Sequence, residues 1–266
     1  MSTKDKVIKY IAIGLAAFII INIVSGVLYL MSWITPQNDN KTIVKHFEES
    51  YQNINEIEIE TITADVLIVD GYELKVEANN LKNKLVSKNN NGELKIEELK
   101  TNVLFDSDNR GLITITIPKN LLLNELSIDS GAGEININNI NINNFSLDLG
   151  AGSIKIINSK FNNTDIEGGA GKIEIKESTL KNLEFDAGVG KTSIEAYIPG
   201  NSEIDCGIGQ VDIVILDKED DFTFSVEKGI GTIKINGIEY GNTTKGNGSN
   251  KFNIEGGVGS CNINFK

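Results

Sequence analysis

A Gly-x-Gly triplet returns at a fixed distance through the second half of this chain, and that spacing limits the fold more than any other feature. Triplets stand at 131–133, 150–152, 169–171, 188–190 and 207–209, each 19 residues after the last, then at 229–231 and 257–259 after steps of 22 and 28. Six residues after the first glycine stands Ile in every copy: Ile137, Ile156, Ile175, Ile194, Ile213, Ile235 and Ile263. Two residues before that stand Ile135, Ile154, Ile173, Thr192, Val211, Ile233 and Cys261. Three before the first glycine stand Ile128, Leu147, Ile166, Phe185, Ile204, Val226 and Ile254. The middle of the triplet is Ala132, Ala151, Ala170, Val189, Ile208, Ile230 and Val258. One such unit cannot bury its apolar face, whereas stacked units bury it in continuous columns. The fold class that follows is all-β, a single-domain β-solenoid or roll with rungs of about 19 residues and strands about 4.8 Å apart.

Each repeat holds two short runs of period two, as in Leu126-Ser-Ile128 and Ile135-Asn-Ile137, rich in β-branched residues that favour strands. The inward parity slips by one between the runs, so the chain must bend there. The structural glycines are therefore Gly131, Gly133, Gly150, Gly152, Gly169, Gly171, Gly188, Gly190, Gly207 and Gly209. Residues 126–266 are the regular stack, and 54–125 form an N-terminal cap and irregular first rungs. In the cap, Ile57-Glu-Ile59 and Val66-Leu-Ile68 repeat the column spacing without glycines, and Ile113 to Ile117 is a strand closed by Pro118. Asp70-Gly71 and Asn89 to Gly92 read as hairpin turns. Gly241 to Asn250 reads as a flexible loop. No C-terminal cap is evident after the last columns, so the final rung is expected to leave an open edge that invites another strand or another copy.

Ahead of the stack, Tyr10 to Ile34 runs 25 residues without a charge. As a helix it crosses a hydrocarbon core of about 30 Å with tilt. Lys4, Lys6 and Lys9 precede it, and Tyr29 and Trp33 suit an interfacial belt. The expectation is a cytoplasmic segment 1–9, one transmembrane helix over 10–34, a juxtamembrane stalk over 35–53, and an extracytoplasmic remainder in the cell membrane. The run is too long for a signal peptide, and no cysteine follows it to carry a lipid. Ile43, Val44, Phe47 and Tyr51 fall at helical spacing, so the stalk is expected to hold a short helix.

Composition narrows the chemistry. The net charge is −12, and the external part carries −14, which leaves no basic patch for nucleic acid. The single histidine, His46, excludes a site that needs two and reads as a solvated linker residue. Two cysteines, Cys206 and Cys261, exclude a multi-cysteine metal site, and in different columns about two rungs apart they read as packed thiols. Motifs of phosphate loops, zinc proteases and serine hydrolases are absent, and no cofactor is implied. The calcium roll is excluded too, because Ile173 and Cys261 stand where its aspartate belongs.

One column is chemically distinctive. Two residues before each triplet stand Asp129, Asp148, Glu167, Asp186, Asp205, Glu227 and Glu255, with Glu60 at the same place in the cap. Parity turns them outward, where stacked like charges oppose one another. They form either a solvated stripe that keeps a long sheet soluble or a carboxylate ladder for a cation, with Ca²⁺ as the candidate. Phe145, Phe185, Phe224 and Phe252 fall at inward parity, which counts against an aromatic platform for glycans and favours a protein partner.

The run Leu126-Ser-Ile-Asp-Ser-Gly-Ala-Gly-Glu-Ile-Asn-Ile137, its repeats, and the Ile-Thr-Ile-Pro before them resemble the bacterial toastrack family, over about 54–266. That family is a domain of unknown function with serial β-strand repeats, and its members carry an adhesin label. The resemblance implies a link to a membrane helix and to cell-envelope stress systems, and it brings no catalytic residues. The function expected is that of a non-enzymatic, membrane-anchored binding or scaffold module in the envelope, with a protein partner or self-association. The alternatives are a cation-stabilised adhesin or structural surface protein, and a polysaccharide-active enzyme using the acidic stripe.

Overall fold

The computed structural model describes residues 44–99 and 110–266, and among them there is no α-helix, only a 3₁₀ turn at Glu219–Asp221. The membrane helix expected over 10–34 lies outside the described residues. In chain order the strands are β1 (Val44–Tyr51), β2 (Glu56–Thr61), β3 (Asp65–Gly71), β4 (Leu74–Leu81), β5 (Lys84–Asn90), β6 (Glu93–Leu99) and β7 (Leu112–Pro118). Three long strands follow, β8 (Leu123–Asn138), β9 (Asn141–Ile157) and β10 (Lys160–Leu180). The rest are β11 (Leu183–Asp186), β12 (Val189–Tyr197), β13 (Asn201–Asp205), β14 (Ile208–Ile215), β15 (Phe222–Glu227), β16 (Thr232–Ile235), β17 (Ile238–Tyr240), β18 (Thr243–Gly246), β19 (Asn250–Glu255) and β20 (Val258–Phe265).

Two ladders wall one core. The first runs β5, β6, β2, β8, β9, β10, β11, β13, β19, β15, β18. The second runs β1, β4, β7, β3, β8, β9, β10, β12, β14, β20, β16, β17. Strands β8 to β10 pass from one wall to the other through the glycine corner. Pairing is parallel and in register at the 19-residue offset: Ile137 pairs with Ile156, Ile156 with Ile175, and Ile175 with Ile194. All four are buried.

Side-chain chemistry explains the rung. Alternate Ile, Val and Leu face inward and their polar neighbours face out, as at Leu126, Ile128, Ile135 and Ile137. At the corner, Gly152 and Gly190 take φ of +134° and +148°, a region that side-chain-bearing residues rarely adopt. A Cβ there would run into the carbonyl oxygen of the preceding rung, at Gly133 and Gly171. The turn between rungs uses left-handed asparagines, Asn139 and Asn158, at φ of 61° and 49°. Their amides stack: Asn158 Nδ2 donates to Asn139 Oδ1 at 2.7 Å. A second file runs from Asn182 to Asn163 to Asn144, with Nδ2–Oδ1 distances of 3.0 and 2.8 Å.

The ends depart from the expected order. Chain order would place the last rung outermost, but β19 and β20 lie between β13–β14 and β15–β16. At the other end, β2 and β3 lie between β6–β7 and β8. The open final edge is therefore not found. Within the stretch read as a flexible loop lies β18, and just before it lies β17; both pair antiparallel onto the outermost rung. Short antiparallel strands blunt an edge that a long parallel strand would expose.

Two further expectations change. Asp70-Gly71 is not a hairpin, because β7 lies between β3 and β4 and pairs with both, whereas the turn at Asn89 to Gly92 does join the antiparallel pair β5–β6. The short helix expected around 43–51 is the strand β1, antiparallel to β4. Val44, Phe47 and Tyr51 pack against the core from that strand, so their helical spacing reflects an edge strand with sparse inward contacts.

Candidate binding surface

The predicted acids share one file. In spatial order it runs Glu97, Glu60, Asp129, Asp148, Glu167, Asp186, Asp205, Glu255 and Glu227, each paired in register with the next. Glu97 extends the column that the sequence begins at Glu60. The order near the end is Asp205, Glu255, Glu227, because of the inserted rung. Beside the file, Asp165, Glu184 and Glu203 pair with one another, so six carboxylates form a block two wide and three deep with Glu167, Asp186 and Asp205.

Like charge acts on this block. Asp148, then burial, then Asp165 push the Glu167 carboxyl above its ordinary range. Burial, followed by Asp205 and Glu203, does the same to Glu255. Asp165 is raised by burial and by Glu184. Some of the file also serves the backbone: Asp186 accepts from the Gly188 N–H at 2.8 Å, and Asp205 from the Gly207 N–H at 2.9 Å. Among the described residues no three or more His, Cys, Asp or Glu side chains are gathered to hold a metal ion.

The opposite wall is different. Lys172 and Lys176 bracket Glu174 at 2.8 and 2.6 Å and lower its carboxyl to about 2. Glu195 pairs with Lys266 on the same wall and is lowered too.

Where the acidic wall meets the corner, a ridge of aliphatic side chains faces solvent. In spatial order it is Ala132, Ala151, Ala170, Val189, Ile208, Val258 and Ile230, the middle residues of the triplets. The four large members are 50, 52, 46 and 56% exposed, from Val189 to Ile230. They cannot turn inward, because the flanking glycines hold the corner backbone against the rung before. Large aliphatic groups and file acids thus stand three residues apart on successive rungs: Asp186 and Val189, Asp205 and Ile208, Glu255 and Val258, Glu227 and Ile230.

Sequence reasoning missed one residue that matters. Glu98 is buried, at 4% exposure, and its carboxylate accepts from the N–H groups of Ile62, Thr63 and Ala64 at 2.7, 2.9 and 3.1 Å, and from Asn83 Nδ2 at 2.7 Å. Ile62 to Ala64 occupy the corner where later rungs carry Gly-x-Gly, and there the carboxylate takes the place of a neighbouring rung's carbonyls. The signal was an acid at inward parity after Leu94 and Ile96. His46 stands on the exposed strand β1, against Asn79 at 2.9 Å.

Stacked two-walled rungs around a dry Ile-rich core place the molecule among β-solenoids of the roll type. The chain belongs to the Toastrack DUF4097 family, whose model matches residues 54–243. No curated protein matches it. Solved structures similar to it include a cell adhesion candidate from Clostridium sporogenes, 19% identical, covering 84% of this chain and 99% of that one, with a TM-score of 0.37. An adhesin candidate from Bacteroides fragilis is 14% identical, covering 84% and 98%, with a TM-score of 0.48. A lipid-binding candidate from Parabacteroides distasonis is 17% identical, covering 84% and 97%, with a TM-score of 0.33. At these values the likeness carries no argument about function.

Proposed function

We propose that the chain is a membrane-anchored, extracytoplasmic, non-enzymatic binding module of the bacterial cell envelope, acting as a scaffold in envelope-stress signalling. Its recognition surface is the corner from Val189 to Ile230 with the adjoining acid file. Its partner is a protein segment that presents aliphatic and cationic side chains together. The uncharged run Tyr10 to Ile34 behind three lysines supports the anchor. The single observation that carries the binding reading is the exposed aliphatic ridge flanked on every rung by a carboxylate. Apolar side chains held in a row outside a folded core mark a contact surface, and the flanking charge selects a cationic partner.

A defined probe tests it. The full-length chain in detergent micelles is titrated with three labelled ten-residue peptides of alternating Leu/Lys, Ser/Lys and Leu/Glu. The Leu/Lys peptide is expected to bind at least about tenfold tighter than either other peptide, and Ile208→Asp or Asp205→Lys should each remove about tenfold. Equal binding of Ser/Lys and Leu/Lys, or indifference to Ile208→Asp, would sink the reading.

A further inference from the structure

The exchange of rungs at the C-terminal end brings together two cysteines that the 19-residue period keeps apart. Cys206 directly precedes the corner 207–209, and Cys261 lies two residues past the corner 257–259. In chain order a further rung separates them. In space they are on adjacent rungs: the Cys206 N–H donates to the Glu255 carbonyl at 3.0 Å, and Cys261 pairs in register with Val211. Both side chains are buried, at 6 and 1% exposure. The site of Cys206 is occupied in other rungs by Ser130, Leu149, Gly168 and Ala187, and on the neighbouring rung by Gly256. A small pocket beside the corner is lined by Cys206, Gly256 and Cys261. The two thiols stand close enough there for Cys261 to act on the Cys206 thiol.

We propose that Cys206 and Cys261 are a disulfide-forming pair that fastens the inserted last rung to the regular stack, oxidised by exchange with a small-molecule or protein disulfide. The Cys206 thiolate attacks one sulfur of R–S–S–R, that bond breaks, and the departing thiolate takes up a proton. The Cys261 thiolate then displaces the second R–S⁻ from the mixed disulfide. Two protein thiols lose two protons and two electrons, and R–S–S–R is reduced to two R–SH. The neighbouring Cys261 thiol, followed by burial, holds the Cys206 thiol above its ordinary value. Little thiolate is therefore present in the folded state, and the bond closes while the chain folds rather than afterwards. The enclosed loop runs from 206 to 261, and long loops gain most from closure because the unfolded chain loses most freedom.

The test uses the full-length chain in detergent micelles, unfolded under reductant and refolded in buffers of oxidised and reduced glutathione, then quenched in acid and alkylated. The expected product is a monomer 2 Da lighter, with tryptic peptides 192–218 and 252–266 linked. Its melting midpoint is expected to lie roughly 5–15 °C above that of the reduced protein. Cys261→Ser should lose the response of the midpoint to reductant. Two alkylatable thiols after oxidative refolding, glutathione adducts on both cysteines, or disulfide-linked dimers would each overturn the pairing. An oxidised monomer that melts with the reduced one would overturn the fastening role.

Discussion

The two walls of the stack are built on the same rungs and carry different electrostatics. One presents the acid file and the block around Asp165, Glu184 and Glu203; the other interleaves lysines with acids, as at Lys172, Glu174 and Lys176. They differ on the inside as well. Phe145, Phe161, Phe185, Phe222, Phe224 and Phe252 all back the acidic wall and are buried, while Ile and Val files back the mixed one. The wall that repels itself on its outer side is the one with the bulkiest inner side. The difference teaches that outer charge and inner packing are separate choices on a strand, since alternate residues face opposite ways. A surface unfavourable to stability can then be kept for recognition because the other side of the same strands supplies the cohesion.

The largest effect should come from the interior. Phe185→Ala is expected to cost about 3–5 kcal/mol in denaturant unfolding, against about 0.5–1.5 kcal/mol for Ile194→Val on the other wall. Equal losses would remove the claim that the acidic wall leans harder on its inner face.

A smaller pair of changes reverses sign between the walls. Glu167→Lys, set between Asp148 and Asp186, is expected to stabilise by roughly 1 kcal/mol. Glu174→Lys, set between two lysines, is expected to destabilise by a similar amount, about 1 kcal/mol. Melting midpoints moving in the same direction would break the comparison.

The smallest effect is the dependence on acid. Glu167, Glu255 and Asp165 have folded-state carboxyls raised above the unfolded ones, so the folded chain binds their protons more tightly. Their contribution to stability is greatest below the unfolded value and is lost as pH rises through the folded one. Glu174 and Glu195 are lowered, so theirs is present near neutrality and is lost as pH falls, for Glu174 toward about 2. The midpoint should therefore rise as pH drops from about 7 to about 5 and fall again below about 4. A steady decline from neutrality downward would show that the lowered group dominates.

Much of this was legible in the sequence. The inward columns and the acid file could be read because parallel in-register stacking turns a spacing of 19 along the chain into contact in space. The same rule fails at the ends. Asp205 meets Glu255 across 50 residues, and no local pattern distinguishes that partner from Glu227 at 22. The cysteine pair was hidden for this reason. Strand β1 was hidden for another: an edge strand touches the core at few points, and three apolar residues at i, i+3 and i+7 fit a helix as well. The ridge was visible as a column of triplet middles, but its exposure depends on the corner backbone, which glycine composition alone does not orient.

The inserted last rung bears on how such a domain can be made and remade. Because residues 250–265 separate 201–215 from 222–235, the far end cannot be completed until that later segment has emerged and inserted between two rungs that precede it in the chain. Assembly of that end is thus gated by residues 250–265, and a chain lacking them would leave two unmatched surfaces face to face. Lengthening by gene duplication is confined to the middle, where one 19-residue unit can slip between identical neighbours.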